Sequence, residues 1–294
     1  MNWGWVTGIL ASTIRQSTPL LFVAFGTLFI QSSGIMNMAG EGFMLLSGFV
    51  AAYVTSITQN VWAGMIVATI ITGIVGFFYT FVVQRFHVDQ IIMGLSFNSL
   101  ALGLTTLMNR SLFPQDTSSQ QILPEFTFKP LGYSIPVYLG FLLIPLTALL
   151  LKHTRIGLKI RAVGEYPLAV ESVGLDVIRI RYIACIIGTL LIGFGGAFLA
   201  LGINNMFLDN MTGGRGYIAM TTVSFGKYTP IGILAAVALF GAGDALQFRL
   251  QVTGSIPYQF ALMIPYAMTV IALVLFARKS RQPSSLAKPY RKSK

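Results

Sequence analysis

The side chains able to do chemistry in this 294-residue sequence are few and far apart. His87 and His153 are the only histidines, Cys185 is the only cysteine, and neither histidine stands near that thiol or a pair of carboxylates. There is no nucleophile with a base, no thiol pair and no metal-ligand spacing. The residues therefore argue against a membrane-embedded enzyme, and no metal or cofactor is expected. What the chain does carry is amides and charges set singly into apolar surroundings. Gly34-Ile-Met-Asn-Met-Ala-Gly-Glu-Gly42 holds Asn37 and Glu41 among three glycines, Asn98 lies within Met93 to Ser99, and Asn204, Asn205, Asp209, Arg215 and Lys227 bracket one short apolar segment. Such groups hydrogen-bond hydroxyls and base edges, which is the chemistry of recognising a polar solute. An ionisable residue at membrane depth is costly and marks a pathway or a partner. Each also has a plainer reading. Glu41 suits the first turn of a helix over Phe43 to Thr58, where a carboxylate favours the positive end of the dipole, and the amides suit bonds between helices. For Glu41 the two readings are compatible.

The elements that must hold these residues are apolar helices. The sequence is 54% hydrophobic and only 10% charged, against about 25% charged in a soluble domain. Residues 16 to 40, 42 to 60, 61 to 84, 90 to 109, 130 to 151, 182 to 202 and 256 to 277 contain no Asp, Glu, Lys or Arg. Most of these runs are near the roughly 20 residues that span hydrocarbon. Met1 to Ile14 lacks a basic region and a small-residue cleavage site, so the first segment is expected to be retained as a helix. Cys185, inside an apolar run, is expected to pack.

The net charge of +11 follows membrane topology rather than nucleic-acid binding, since the basic residues lie between or after apolar runs and form no patch beside exposed aromatics. Residues 152 to 181 carry Lys152, Arg155, Lys159, Arg161, Arg179 and Arg181, and the tail beyond Ala277 carries seven more. Both belong in the cytoplasm, and His153 joins the same count. The charge-balanced, proline-containing connection from Asn109 to Ser134 belongs outside, one span (Ile135 to Leu151) away. Arg85 and His87 mark another cytoplasmic turn, with Trp62 at the outer interface.

Tyr182 to Gly202 crosses outward, and Gly188, Gly193, Gly195 and Gly196 allow close helix contact. No strand precedes them, so they are not a dinucleotide loop. The apolar piece Gly216 to Gly226 has eleven residues, about 16 Å of helix. That is too short to cross, so a half-helix or re-entrant segment is expected, tolerated only where it lines protein or a watery cavity. Ile231 to Gly243 then leads to Asp244 and Arg249 near a boundary, and Ile256 to Ala277 makes a last span. Gly34 to Gly42 is read as a break inside the membrane; a cytoplasmic turn there would put the N-terminus outside. The expected fold is all-α, a polytopic membrane bundle of about eight or nine helical segments with a broken or re-entrant helix. It comprises a transmembrane domain, 1–277, and a basic cytoplasmic tail, 278–294.

The cytoplasmic stretch from Thr154 to Gly174 contains a short helix by its own signals. Pro167 suits the first turn and Gly174 the position just past the end, while Tyr166, Ala169, Val170 and Val173 share one face. A helix this short is unstable alone, so it should dock against something. This stretch resembles the coupling loop of bacterial ABC-importer permeases of the branched-chain amino acid, ribose and nucleoside group. Gly34 to Gly48, Gly214-Arg-Gly-Tyr-Ile-Ala-Met with Phe225-Gly-Lys-Tyr-Thr-Pro230, Ile264-Pro-Tyr-Ala-Met268 and Gln282-Pro-Ser-Ser-Leu-Ala-Lys-Pro-Tyr290 resemble the nucleoside or simple-sugar branch. Ala287 stands where that branch usually has glycine, and Lys227 where arginine is also common.

The resemblance implies a nucleoside permease subunit in the bacterial cytoplasmic membrane, without ATPase activity of its own, that pairs with a homologous permease, two ATP-binding subunits and an extracytoplasmic substrate-binding lipoprotein. The sequence has no Gly-x-x-x-x-Gly-Lys-Ser/Thr loop, so ATP energy is expected from a partner. Asn37 and Glu41 fall near the pathway by resemblance, and Gly42, Asn98, Arg215 and Lys227 complete the candidate set. Arg155, Gly157, Arg161, Gly164, Glu165, Pro167 and Gly174 are the candidates for ATPase coupling. Importers of simple sugars or branched-chain amino acids share the coupling loop and remain alternatives. An ion-coupled secondary transporter could have similar broken helices, but the coupling loop argues against it.

Overall fold

The computed structural model describes residues 3–113, 123–253 and 282–290, with isolated positions between 257 and 274. Among the described residues all regular structure is helical: α1 (Trp3–Ser32), α2 (Gly40–Thr58), α3 (Val61–Phe86), α4 (Gln90–Leu112), α5 (Ile135–His153), α6 (Arg155–Glu165), α7 (Pro167–Ser172), α8 (Val177–Phe198), α9 (Arg215–Phe225) and α10 (Pro230–Thr253). Seven of them, α1 to α5, α8 and α10, are long and apolar enough to cross a membrane. The half-helix expected at Gly216 to Gly226 is α9, shifted by one residue. The expected last span, 256 to 277, lies for the most part outside the described residues, as do residues 114–122 of the outer connection.

Local chemistry starts several of these helices. Asn60 accepts from the backbone N–H of Trp62 and Ala63 at the start of α3, Asp89 does the same for Ile91 and Ile92 in α4, and Asp176 accepts from Arg179 in α8, so each side chain satisfies donors that the first helical turn leaves free. The bundle is centred on α1 and α8. Their backbones close at Gly26 and Gly188, where a Cβ on either residue would strike the other's carbonyl oxygen, and Ser47 of α2 donates to the Gly193 carbonyl at 2.5 Å. The glycines of α8 therefore pack helices, as their spacing implies, and Cys185 of the same helix is buried with no disulfide partner. Outward faces are apolar: Ile66, Ile70 and Phe78 on α3, Ile92, Leu100 and Leu107 on α4, and Leu142 and Leu149 on α5 are all exposed. Such faces suit lipid, not water.

Two ends can be told apart. At one, Arg15 of α1 donates to the Gly202 carbonyl, Leu123 donates to Asn205, Trp62 stacks edge-on with Phe126, and Arg110 lies 4.0 Å from Asp209. The Lys129 ammonium beside Glu125 holds that carboxyl below its usual range. The other end carries α6, α7 and residues 282–290, and is the inner end by its basic residues. Since the last residues of α1 lie beside α6, the N-terminal part of α1 lies at the outer end.

Residues 33–39 combine the two readings that the sequence left open. The chain turns at the inner end at Gly34 (φ +88), then runs back into the bundle without helix until α2 begins. The Met36 N–H donates to Gln90 at the start of α4, whereas the Gly42 N–H donates to Asn98, eight residues and about 12 Å further along the same helix. The segment is a turn followed by re-entry, and α2 starts at depth.

Candidate functional site

Glu41 is buried, 8% exposed, and both of its oxygens are occupied. Oε1 accepts from the Gly214 N–H at 2.8 Å and Oε2 from the Gly216 N–H at 2.7 Å. It therefore caps a helix, as its plainer reading allowed, but the helix is α9 rather than its own. The first N–H groups of a helix have no partner within it and carry its positive dipole end, so a carboxylate answers both needs of α9. The approach depends on Gly216, where a Cβ would strike the Glu41 backbone nitrogen.

Asn98 completes the junction. Its Oδ1 accepts from the Gly42 N–H at 2.8 Å, capping α2 from outside, while Nδ2 donates to the Met38 carbonyl at 2.8 Å and the Tyr217 hydroxyl oxygen at 2.7 Å. A side chain at Gly42 would press on Asn98 and Phe97. One amide thus ties α2, the re-entrant segment and α9 to α4. Asn37 secures the same segment to α1, donating to Thr27 Oγ1 at 2.9 Å. Tyr217 was not among the sequence candidates. A lone tyrosine two residues into a half-helix carries no signal until Asn98 is seen opposite.

Arg215 lies next to this junction but faces α10. Its Nη2 is 3.3 Å from Asp244 Oδ2 and Nη1 donates to the Met211 carbonyl, with both charged side chains mostly buried. Asp244 lies within α10, where Arg215 from the half-helix supplies the opposite charge that lets a buried carboxylate sit. Lys227 is separated from the set: it is exposed, beyond the far end of α9, at φ +52. The neighbouring Tyr228 hydroxyl donates to Gln31 of α1 at 3.0 Å.

At the inner end the expected single helix is two. Thr154 caps α6 through the Gly157 N–H at 3.1 Å, and the chain breaks at Tyr166 before α7. Pro167 opens α7 as its position implies. The end of α7 is closed by Gly174 (φ +80), with the Gly174 N–H on Glu171 O and the Leu175 N–H on Val170 O, the paired bonds of a Schellman stop. Of the shared face Tyr166, Ala169, Val170 and Val173, only Val170 is buried. Tyr166, Leu168 and Val173 are 66%, 53% and 72% exposed. Arg155 and Arg161 are also exposed, whereas Gly157 and Gly164 are buried because they meet the backbone of Leu150 and Ser32.

Two features here were missed. Arg181, counted as a cytoplasmic loop charge, is 1% exposed within α8 and donates from Nε to the Ser33 carbonyl at 3.2 Å. The tail is not merely basic, since residues 282–290 fold against α6 and α7. Burial, followed by the Glu171 carboxylate hydrogen-bonded to it, pushes the Tyr290 hydroxyl up to about 12.

Among the described residues, seven helices long and apolar enough to cross, a half-helix and an irregular re-entrant segment define a multi-pass helical membrane protein. Residues 9–273 match the family described as branched-chain amino acid transport system / permease component, and the chain belongs to that family. It is 30% identical to the guanosine ABC transporter permease protein NupQ of Bacillus subtilis, covering 97% of each chain. It is 29% identical to the nucleoside ABC transporter permease protein NupC of Lactococcus lactis subsp. cremoris, again over 97% of each. It is 31% identical to the putative glucose ABC transporter permease protein TsgC13 of Haloferax volcanii, over 83% of this chain and 78% of that one. No solved structure matches the chain.

Proposed function

We propose that this chain is the translocation subunit of an ATP-driven importer of nucleosides in a bacterial cytoplasmic membrane. It would pair with a homologous permease and receive solute from an extracytoplasmic binding lipoprotein. Separate ATP-binding subunits would dock on α7, while the chain itself hydrolyses nothing. The observation that carries this reading is the likeness to guanosine and nucleoside permeases along nearly the whole chain. The exposed Tyr166, Leu168 and Val173 support the docking, because a helix of six residues is too short to hold itself in water. Arg155, Gly157, Arg161, Gly164, Glu165, Pro167 and Gly174 shape that surface.

The pathway is proposed to pass the junction of Asn37, Glu41, Gly42 and Asn98, with Arg215 fixing the adjacent half-helix and Lys227 at its inner exit. Movement of residues 152–181 when the ATPases close would switch the bundle between outward-open and inward-open states. The junction favours a neutral solute over an amino acid. Helix N-termini at depth are natural partners for a carboxylate substrate, and here Glu41 and Asn98 already occupy them. A simple sugar satisfies the same argument, and the likeness to the putative glucose permease keeps it as the second reading.

Uptake of labelled nucleosides, with ribose and leucine as comparators, in cells carrying or lacking this chain alongside its partners is the direct test. Loss of nucleoside uptake alone is the expected result. Loss of ribose or leucine uptake instead keeps the permease and discards the substrate, while uptake driven by a proton gradient without any ATPase discards the importer.

A further inference from the structure

The tail motif Gln282-Pro-Ser-Ser-Leu-Ala-Lys-Pro-Tyr290 has no part in the function as proposed so far, yet its bonds are more specific than those of a topological signal. Helix α6 ends at Glu165 and leaves its last carbonyls without helical partners. Ser285 meets them from the tail: its N–H donates to the Gly164 carbonyl at 2.9 Å, and its hydroxyl lies 2.6 Å from that oxygen and 3.2 Å from Val163 O. Ser284 donates its N–H and hydroxyl to Glu165 Oε2 at 3.2 and 2.8 Å.

The same segment then turns to a different element. The Ala287 N–H donates to the Gly34 carbonyl at 3.2 Å, and Ala287 holds φ +63, a conformation that an alanine adopts only at a cost. The buried ring of Tyr290 lies 5.7 Å from the guanidinium of Arg181, which donates to Ser33. Gly164 itself meets the Ser32 carbonyl so closely that a Cβ would collide. The end of α6, the turn after α1 and the tail therefore meet at one point, with the tail bonded to both of the others.

From Gly34 the route to Glu41 is short, and it is tied to the bundle along its length. Met36, Asn37 and Met38 are bonded in succession to Gln90, Thr27 and Asn98.

We propose that Ser284, Ser285, Ala287 and Tyr290 are positioning residues: the tail is a brace that fixes α6 and α7 to the Gly34 turn, so that displacement of the coupling helices reaches the re-entrant segment and the Glu41 junction. The inference rests on the ATP-driven reading above. Contiguous bonded elements of this kind carry coupling between distant sites only if both ends bias the same movement, so the test reads coupling and not only yield.

The whole transporter, with its partner permease, ATPases and binding lipoprotein, is reconstituted in proteoliposomes, and uptake of labelled guanosine is measured against phosphate release. In Ser284→Ala/Ser285→Ala/Tyr290→Ala, ATP hydrolysis persists while guanosine moved per ATP falls by at least a factor of about five, the scale of a single lost hydrogen bond. Ser284→Thr/Ser285→Thr/Tyr290→Phe keeps the hydroxyls at 284 and 285 and the ring at 290, and restores the ratio. An unchanged ratio in the alanine variant, or uptake and hydrolysis falling together, overturns the brace. If the alanine variant fails to assemble, Glu165→Cys/Ser284→Cys decides: a brace couples at least as well oxidised, with the tail tied covalently to α6, as reduced, and uptake lost on oxidation and regained on reduction overturns it. A wild-type transporter with no ATP-driven uptake of guanosine, ribose or leucine sinks the underlying reading instead.

Discussion

The junction around Glu41 and the surface around α7 are built on opposite rules. At the junction every named polar group meets another: Glu41 answers Gly214 and Gly216, Asn98 answers Gly42, Met38 and Tyr217, and Asn37 answers Thr27. At the inner surface apolar side chains are left bare, with Tyr166, Leu168 and Val173 exposed on a basic background. Hydrocarbon offers no hydrogen bonds, so a break in a helix at depth has to be satisfied within the protein. Outside the membrane, an apolar patch is tolerated when something covers it. The polar groups of the junction are answered within one chain, whereas the exposed face of α7 is proposed to be covered by a partner.

The largest expected effect is at the ion pair beside the junction. Asp244→Leu leaves Arg215 buried without its carboxylate and should cost about 3–5 kcal/mol, whereas the Arg215→Leu/Asp244→Leu double variant should recover most of that loss. Thermal unfolding of the purified protein in detergent measures both. Equal destabilisation by the single and double variants would break the picture of self-contained satisfaction at depth.

Glu41 comes next. Glu41→Leu strands the Gly214 and Gly216 N–H groups and should cost about 2–3 kcal/mol in all, the lower end of the range for two unsatisfied donors. Glu41→Gln keeps one acceptor and should fall between that variant and wild type. If Glu41→Gln and Glu41→Leu unfolded at the same temperature, the charge on Glu41 and not its two bonds would be what matters.

The smallest effect on stability, and the one that sharpens the contrast, is at α7. Tyr166→Ser/Leu168→Ser should change stability by about 0.5 kcal/mol or less, as exposed substitutions do, while reducing capture of the ATP-binding subunits in a pull-down. Full capture by this variant would move the docking surface away from α7.

Much of the fold was legible in the sequence for a simple reason. Charge-free runs of membrane length leave little choice of element, and the eleven residues of the half-helix are too few to cross whatever they pack against. Pro167 and Gly174 likewise fix the ends of α7 through backbone geometry that neighbours do not alter. The site was legible only as a set of residue types. Asn37, Glu41 and Asn98 stood out as polar groups in apolar surroundings, but their partners are 173, 175 or 56 residues away for the bonds from Gly214 and Gly216 to Glu41 and from Gly42 to Asn98. Most of those partners are backbone N–H groups, which every residue but proline possesses and which give no sequence signal. Arg181 was misread for a related reason: a cation near an apolar run looks the same whether it faces the cytoplasm or the Ser33 carbonyl.

The sequence by itself determined that this is a helical membrane protein, where most of its helices run, that one of them is a half-helix, and which end is basic, because hydrophobicity and charge act on each segment separately. Only the tertiary structure decided that Glu41 caps α9 rather than α2, that Arg215 pairs with Asp244, and that the tail bonds to both α6 and Gly34. Those contacts depend on which helix ends converge, and convergence is set by packing over the whole chain, not by the residues that meet.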